Sequence, residues 1–117
     1  MLDGPFGSAL FLIEILRARG MTADVGVVST YLSHAVYRGI TRGRILAAPT
    51  DFPVVQGRLA IEMAVRAIEG RLTVTHAGPR IEIVTADRVK SIGTNGSLAP
   101  ASFVPVFAMP SADGAAP

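Results

Sequence analysis

The sequence has no cysteine, no tryptophan, a single lysine and no block of like charge. Without cysteine there are no disulfides, no thiol nucleophile and no thiolate metal ligand, and the compartment is left open. Lys90 and ten arginines are scattered along the chain at a net charge of +2. The clustered basic face of a nucleic-acid binder is missing, so no nucleic-acid partner is expected. The two histidines, His34 and His76, lie far apart with no H-E-x-x-H pattern, and no metal site is expected. Long hydrophobic runs are absent too. The stretch from Ala9 to Ile13 is interrupted by Glu14 and followed by Arg17 and Arg19, too short to cross a bilayer, so no membrane insertion is expected. Met1-Leu2-Asp3-Gly4-Pro5 places an acid and a proline where an export signal carries basic residues, so this stretch is not expected to act as one.

Half of the 117 residues are apolar, enough for one small domain with one packed core. Residues 8–19 read as a helix with Ser8 as N-cap and Gly20 as its stop, apolar on most sides and therefore in need of broad cover. No strand is visible ahead of it, as though the chain started mid-motif. Asp24 to Val28 reads as a short strand, Ser33 caps a helix running to about Arg42 with Gly43 as its stop, and Arg44 to Ala48 forms a second strand closed by Pro49. With prolines at 49 and 53, that stretch is expected to be irregular.

The next helix runs from about Val54 to Glu69, with Gly70 beyond it. Arg58, Glu62, Arg66 and Glu69 form one narrow polar stripe, and such a helix is expected to pack its apolar remainder against a sheet. Thr73 to Thr75 reads as a brief strand and Arg80 to Thr85 as a half-exposed one. Beyond Gly93 the chain is rich in Gly, Ser, Ala and Pro. Phe103, Val104, Val106 and Phe107 are expected to dock as one extended segment ahead of frayed final residues. The alternation of helix and strand gives an α/β class, a partial doubly wound parallel sheet.

In such sheets ligands bind beyond the carboxyl ends of the strands. Two loops qualify. Ser29 to Ser33 offers hydroxyls, a helix N-terminus and the ring of Tyr31; Pro49 to Phe52 offers the carboxylate of Asp51. Ring and carboxylate together suit a small cationic or strongly dipolar ligand. Each has a plain alternative: Tyr31 packs its ring under the loop, and Asp51 caps the following helix. Catalytic arrangements are poorer. Ser29, His34 and Asp51 make a nominal triad, but no G-x-S-x-G turn surrounds Ser29, and Gly39-x-x-x-Gly43-Arg44 lacks the spacing and ending of a P-loop. No enzyme activity, catalytic residue or cofactor is expected.

The segment from Gly43 through Ala47-Ala48-Pro49-Thr50-Asp51 to Gly57, followed by Ala60, Ala64, Val65 and Ile68-Glu69-Gly70, resembles the closing part of type I periplasmic binding proteins. Ser29-Thr30-Tyr31-Leu32-Ser33, Tyr37-Arg38-Gly39-Ile40 and His76-x-Gly78-Pro79 narrow the resemblance to members that sense trimethylamine N-oxide with a membrane sensor histidine kinase. It covers roughly residues 8–107.

The resemblance implies two α/β lobes around a ligand cleft and a periplasmic parent, of which this chain is a C-terminal fragment. Residues 1–95 then form a partial α/β domain crossing between lobes near 46–51, and 96–117 an extended tail with disordered last residues. It further implies a small amine ligand such as trimethylamine N-oxide, the periplasmic domain of a sensor histidine kinase as partner, and ligand contacts from Asp51 and from Thr30 or Tyr31. Two alternatives stand beside it: the ligand-sensing domain of a LacI-type transcription regulator, and a truncated piece without independent function.

Overall fold

The computed structural model describes residues 8–106 together with the backbone of Leu2 and Asp3. Phe107 and the end of the tail lie outside the described residues. Eight elements follow in order: β1 (Leu2–Asp3), α1 (Ser8–Ala18), β2 (Val28–Ser29), α2 (His34–Thr41), β3 (Ala47–Thr50), α3 (Pro53–Ile68), β4 (Glu82–Thr85) and α4 (Val89–Ile92). The strands form one sheet in the order β1-β2-β3-β4. β1, β2 and β3 are parallel, with Leu2 opposite Val28 and Val28 opposite Ala47, so α1 and α2 are crossovers of two consecutive β-α-β units.

The helices keep to the expected signals. Ser33 sits in extended conformation before α2, and its Oγ accepts from the Val36 amide at 3.2 Å, satisfying one of the helix's orphan donors. Replacing Ser33 by alanine is expected to cost about 1 kcal/mol, read from the denaturant midpoint. Gly20, Gly43 and Gly70, just past α1, α2 and α3, all take positive φ, the left-handed C′ geometry that glycine adopts without strain. Gly39 is needed for another reason: a Cβ there would lie 2.6 Å from Cδ1 of the buried Ile45, so its absence lets α2 lie directly on the chain entering β3.

The core is a single cluster between the sheet and α1, α2 and α4, centred on Ile40, Ile45, Ala48 and Val84. Several expectations need correction around it. A strand does precede α1: β1 is two residues long, too short for any periodicity to announce it. The sheet is mixed, not parallel throughout, because β4 runs antiparallel to β3, with Ala47 opposite Thr85 and Thr50 opposite Glu82. Pro49 lies inside β3. Pairing to β2 ends at Ala47, so on that side the proline's missing N–H removes no ladder bond. Pro53, likewise expected to be irregular, is the first residue of α3, where no intrahelical N–H is needed. Thr73 to Thr75 forms no strand, and Phe103, Val104 and Val106 are exposed instead of docked. Just past β4, the Thr85 hydroxyl donates to Asp87 Oδ1 at 2.5 Å and holds that carboxyl below its ordinary value.

The apolar helices are less covered than their composition demands. α1 buries only Ala9, Ile13 and Leu16, and leaves Phe11 71% exposed. α3 buries no residue at all, with Ile61 and Ile68 at 69% and 88% exposed. Of its polar stripe, Glu62 and Arg66 pair at 2.7 Å, while Glu69 pairs with Arg71 beyond the helix. The chain from Asp51 to Ile81 thus leaves the sheet after β3 and returns to it at β4 as a projecting arm. The radius of gyration is 18.9 Å, against about 13 Å for a compact chain of this length, so the molecule is extended.

Candidate functional site

Because β2 and β3 are parallel neighbours, the loops after Ser29 and Thr50 leave the sheet at the same end. The structure therefore brings Thr30, Tyr31 and Asp51 to one edge, the carboxyl end where an open sheet receives ligands.

Ser29 builds the first loop. It is 2% exposed, and its Oγ donates to the Tyr31 carbonyl at 2.9 Å and accepts from the Tyr31 amide at 3.4 Å. This local ring of bonds satisfies a buried hydroxyl and fixes the backbone that presents the tyrosine. Tyr31 is 45% exposed, so its ring is not packed beneath the loop, and Thr30 beside it is exposed. Ser29 is no nucleophile here, since it is buried and committed to the backbone. His34 turns elsewhere as well, its Nε2 lying 2.9 Å from the carbonyl oxygen of Ala99. The nominal triad does not assemble.

Asp51 is half-buried and does not cap α3. The N-cap is Phe52, in left-handed conformation with φ 55°, and it makes no side-chain capping bond. The first turn of α3 is satisfied by another strand of chain: Val54 and Val55 donate their amides to the Gly96 carbonyl at 3.1 and 3.3 Å. The Asp51 backbone carbonyl accepts from Gln56 Nε2 at 2.7 Å, and its carboxylate has no hydrogen-bond or ionic partner among the described residues. A half-buried carboxylate and a half-exposed aromatic ring, on the ends of adjacent strands, attract positive charge or a strong dipole.

Sequence reasoning missed the segment from Thr94 to Ala99, which its composition marks only as part of the Gly-, Ser-, Ala- and Pro-rich stretch beyond Gly93. Ser97 is 5% exposed and shares a 2.6 Å hydrogen bond between its Oγ and the Oγ1 of Thr50, itself 3% exposed. Thr50 Oγ1 also accepts from the Phe52 amide at 3.2 Å. With Gly96 capping α3 and Ala99 meeting His34, this segment ties the end of β3 to the start of α2. A Cβ on Gly96 would lie 2.9 Å from the Phe52 ring, so the approach requires glycine. No local pattern marks Ser97, because its partner is 47 residues away. Among the described residues no group of three histidine or carboxylate side chains is placed to hold a metal ion.

No family model matches the chain. Over 91 residues, 78% of its length, it is 39% identical to the periplasmic protein TorT of Escherichia coli (strain K12). The chain is a homologue of TorT. It spans 27% of that relative, about a quarter of its length. Its mixed α/β structure matches about a third of the fold of periplasmic solute-binding proteins. TorT in complex with the TorS sensor domain, in the presence of TMAO (trimethylamine N-oxide), superposes at a TM-score of 0.78 with 37% identity, covering 86% of this chain and 34% of that one. An ABC transporter solute-binding protein from Bradyrhizobium sp. BTAi1, solved with bound Bis-Tris, gives 0.79 and 39%, covering 86% of this chain and 30% of that one. A glucose-galactose-binding protein from Geobacillus stearothermophilus shares the fold at 12% identity, with a TM-score of 0.63 over 74% of this chain and 31% of that one.

Proposed function

We propose that this chain is the ligand-facing and hinge-bearing part of a periplasmic solute-binding and signalling protein. It takes a small methylated amine oxide of the trimethylamine N-oxide type and reports to the periplasmic domain of a sensor histidine kinase. The observation that carries the reading is 37% identity, on the same fold, with TorT in its complex with the TorS sensor domain and TMAO. In this reading Tyr31 lies against the methylated nitrogen, Asp51 supplies the neighbouring negative charge and Thr30 lines the same edge. The hydroxyl lock on Tyr31 matters because a ring already held in place loses little freedom on binding. No catalytic step is needed. The crossing between lobes falls near residues 46–51, where β3 ends and the arm from Asp51 to Ile81 begins.

Calorimetric titration of the full-length protein with trimethylamine N-oxide tests this. Binding is expected, and Tyr31→Ala is expected to weaken it by about 1–2 kcal/mol, roughly five- to thirtyfold. Affinity unchanged in Tyr31→Ala removes the ring from the site. The similarity to a transporter component solved with Bis-Tris supports a second reading, an uptake protein for a bulkier amine. Silence toward trimethylamine N-oxide alongside binding of Bis-Tris would establish that one instead.

A further inference from the structure

Two concavities, one at the amino-terminal end of β2 and β3 and one along α1 and α2, are bordered by arginines that the proposed function does not employ. The larger, about 240 Å³, has Ile13, Leu16, Val25 and Val27 among its lining, with Arg17 and Arg44 also bordering it. Leu16, Ile13 and Val27 are buried, so the floor is part of the core, whereas both arginines are exposed. Arg44 also borders the adjoining cleft, together with Arg38 and Arg42. None of these four arginines has a carboxylate partner: the ion pairs among the described residues engage Arg66, Arg71 and Arg88.

Helix ends account for part of this charge. Arg17 and Arg38 lie in the last turns of α1 and α2, where a cation offsets the negative end of the helix dipole. Two such ends amount to about one negative charge, against four guanidinium groups. Arg44, beyond the end of α2, is the arginine common to both concavities.

We propose that the larger pocket is a second ligand site, for a small amphiphilic organic anion: a short aliphatic carboxylate with its chain on the apolar floor and its head group at Arg17 and Arg44. The volume holds about eight water-sized groups, which matches a six-carbon acid. Guanidinium groups suit that head group because their paired N–H donors match the two oxygens of a carboxylate. Val25 and Val27 precede β2, and Gly43 and Arg44 precede β3, so this pocket and the candidate site after those strands lie at opposite ends of the sheet.

Amide chemical-shift mapping with hexanoate on the full chain decides the matter. Saturable shifts at Thr22, Val25 and Gly43 are expected, and Arg17→Gln/Arg44→Gln should weaken binding by at least about tenfold through loss of the charged hydrogen bonds. Both substitutions are at exposed positions, and an unchanged melting curve verifies that the variant is folded. Hexan-1-ol, which keeps the chain without the charge, and inorganic phosphate, which keeps charge without a chain, should each bind more weakly than hexanoate. Equal binding of either, unaltered affinity in the arginine variant, or shifts confined to Tyr31 and Asp51 would overturn the proposal. Apart from shifts at Tyr31 and Asp51, these outcomes concern only the arginine pocket and leave trimethylamine N-oxide binding at the other end of the sheet untouched, so the two readings fail separately.

Discussion

Ile40→Ala is expected to destabilise the chain by about 2–5 kcal/mol, while Ile61→Ala changes stability by no more than about 0.5 kcal/mol. The two substitutions remove the same atoms. Ile40 is fully buried in α2 at the centre of the core, so truncation loses transfer free energy and leaves a cavity beside Ile45. Ile61 lies on α3 with 69% of its surface in water, and its truncation opens no cavity. Total stabilities of small domains are only about 5–15 kcal/mol, so the first change consumes a large share of the available margin. Urea unfolding followed by circular dichroism measures both. A cost above about 2 kcal/mol for Ile61→Ala would mean that α3 is covered in solution, by a second copy or by its own arm.

That pair of substitutions also shows where sequence reading reached its limit. The pattern of α3 states that Ile61, Val65 and Ile68 require cover, and the requirement is real; what a pattern cannot state is which part of a protein provides it. All three are exposed here, on a chain spanning about a quarter of its relative TorT. Helix ends were legible because their chemistry is local: Ser33 bonds three residues ahead, and Gly20, Gly43 and Gly70 answer to the φ of a single residue. The sheet was legible in class but not in detail. β1 and β2 have two residues each, and nothing in the alternation from Ile81 to Thr85 encodes the direction in which that strand runs. Its inner and outer faces follow the sheet: Val84 is buried, whereas Ile81 and Ile83 face outward. At the candidate site the strand-end rule placed Tyr31 and Asp51 on one edge. The tie rests on contacts between Thr50 and Ser97 and between His34 and Ala99, which no spacing rule anticipates.

The tie is the object of the second large effect. Thr50→Val keeps the shape of the side chain and removes its hydroxyl, leaving the Ser97 hydroxyl without its partner at 5% exposure and the Phe52 amide without its acceptor. A buried polar group stripped of its partner costs about 1–3 kcal/mol, and that loss of stability is expected. Thr50→Ser retains the hydroxyl, forfeits one methyl group and should cost about 1 kcal/mol. The double variant Thr50→Val/Ser97→Ala should recover part of the loss, because replacing both partners of a buried hydrogen bond removes the unsatisfied group along with the bond. Strict additivity of the two single changes would show that the 2.6 Å contact contributes nothing of its own. The consequence extends past stability. Thr50 immediately precedes Asp51, and the segment holding Ser97 also carries the Gly96 carbonyl that caps α3. Loosening the pair frees the chain on both sides of the candidate carboxylate, so amide exchange in Thr50→Val should quicken at Phe52, Val54 and Val55 while the amides of α1 stay protected. Equal acceleration in α1 would instead mark a global loss of structure with no special place for the tie.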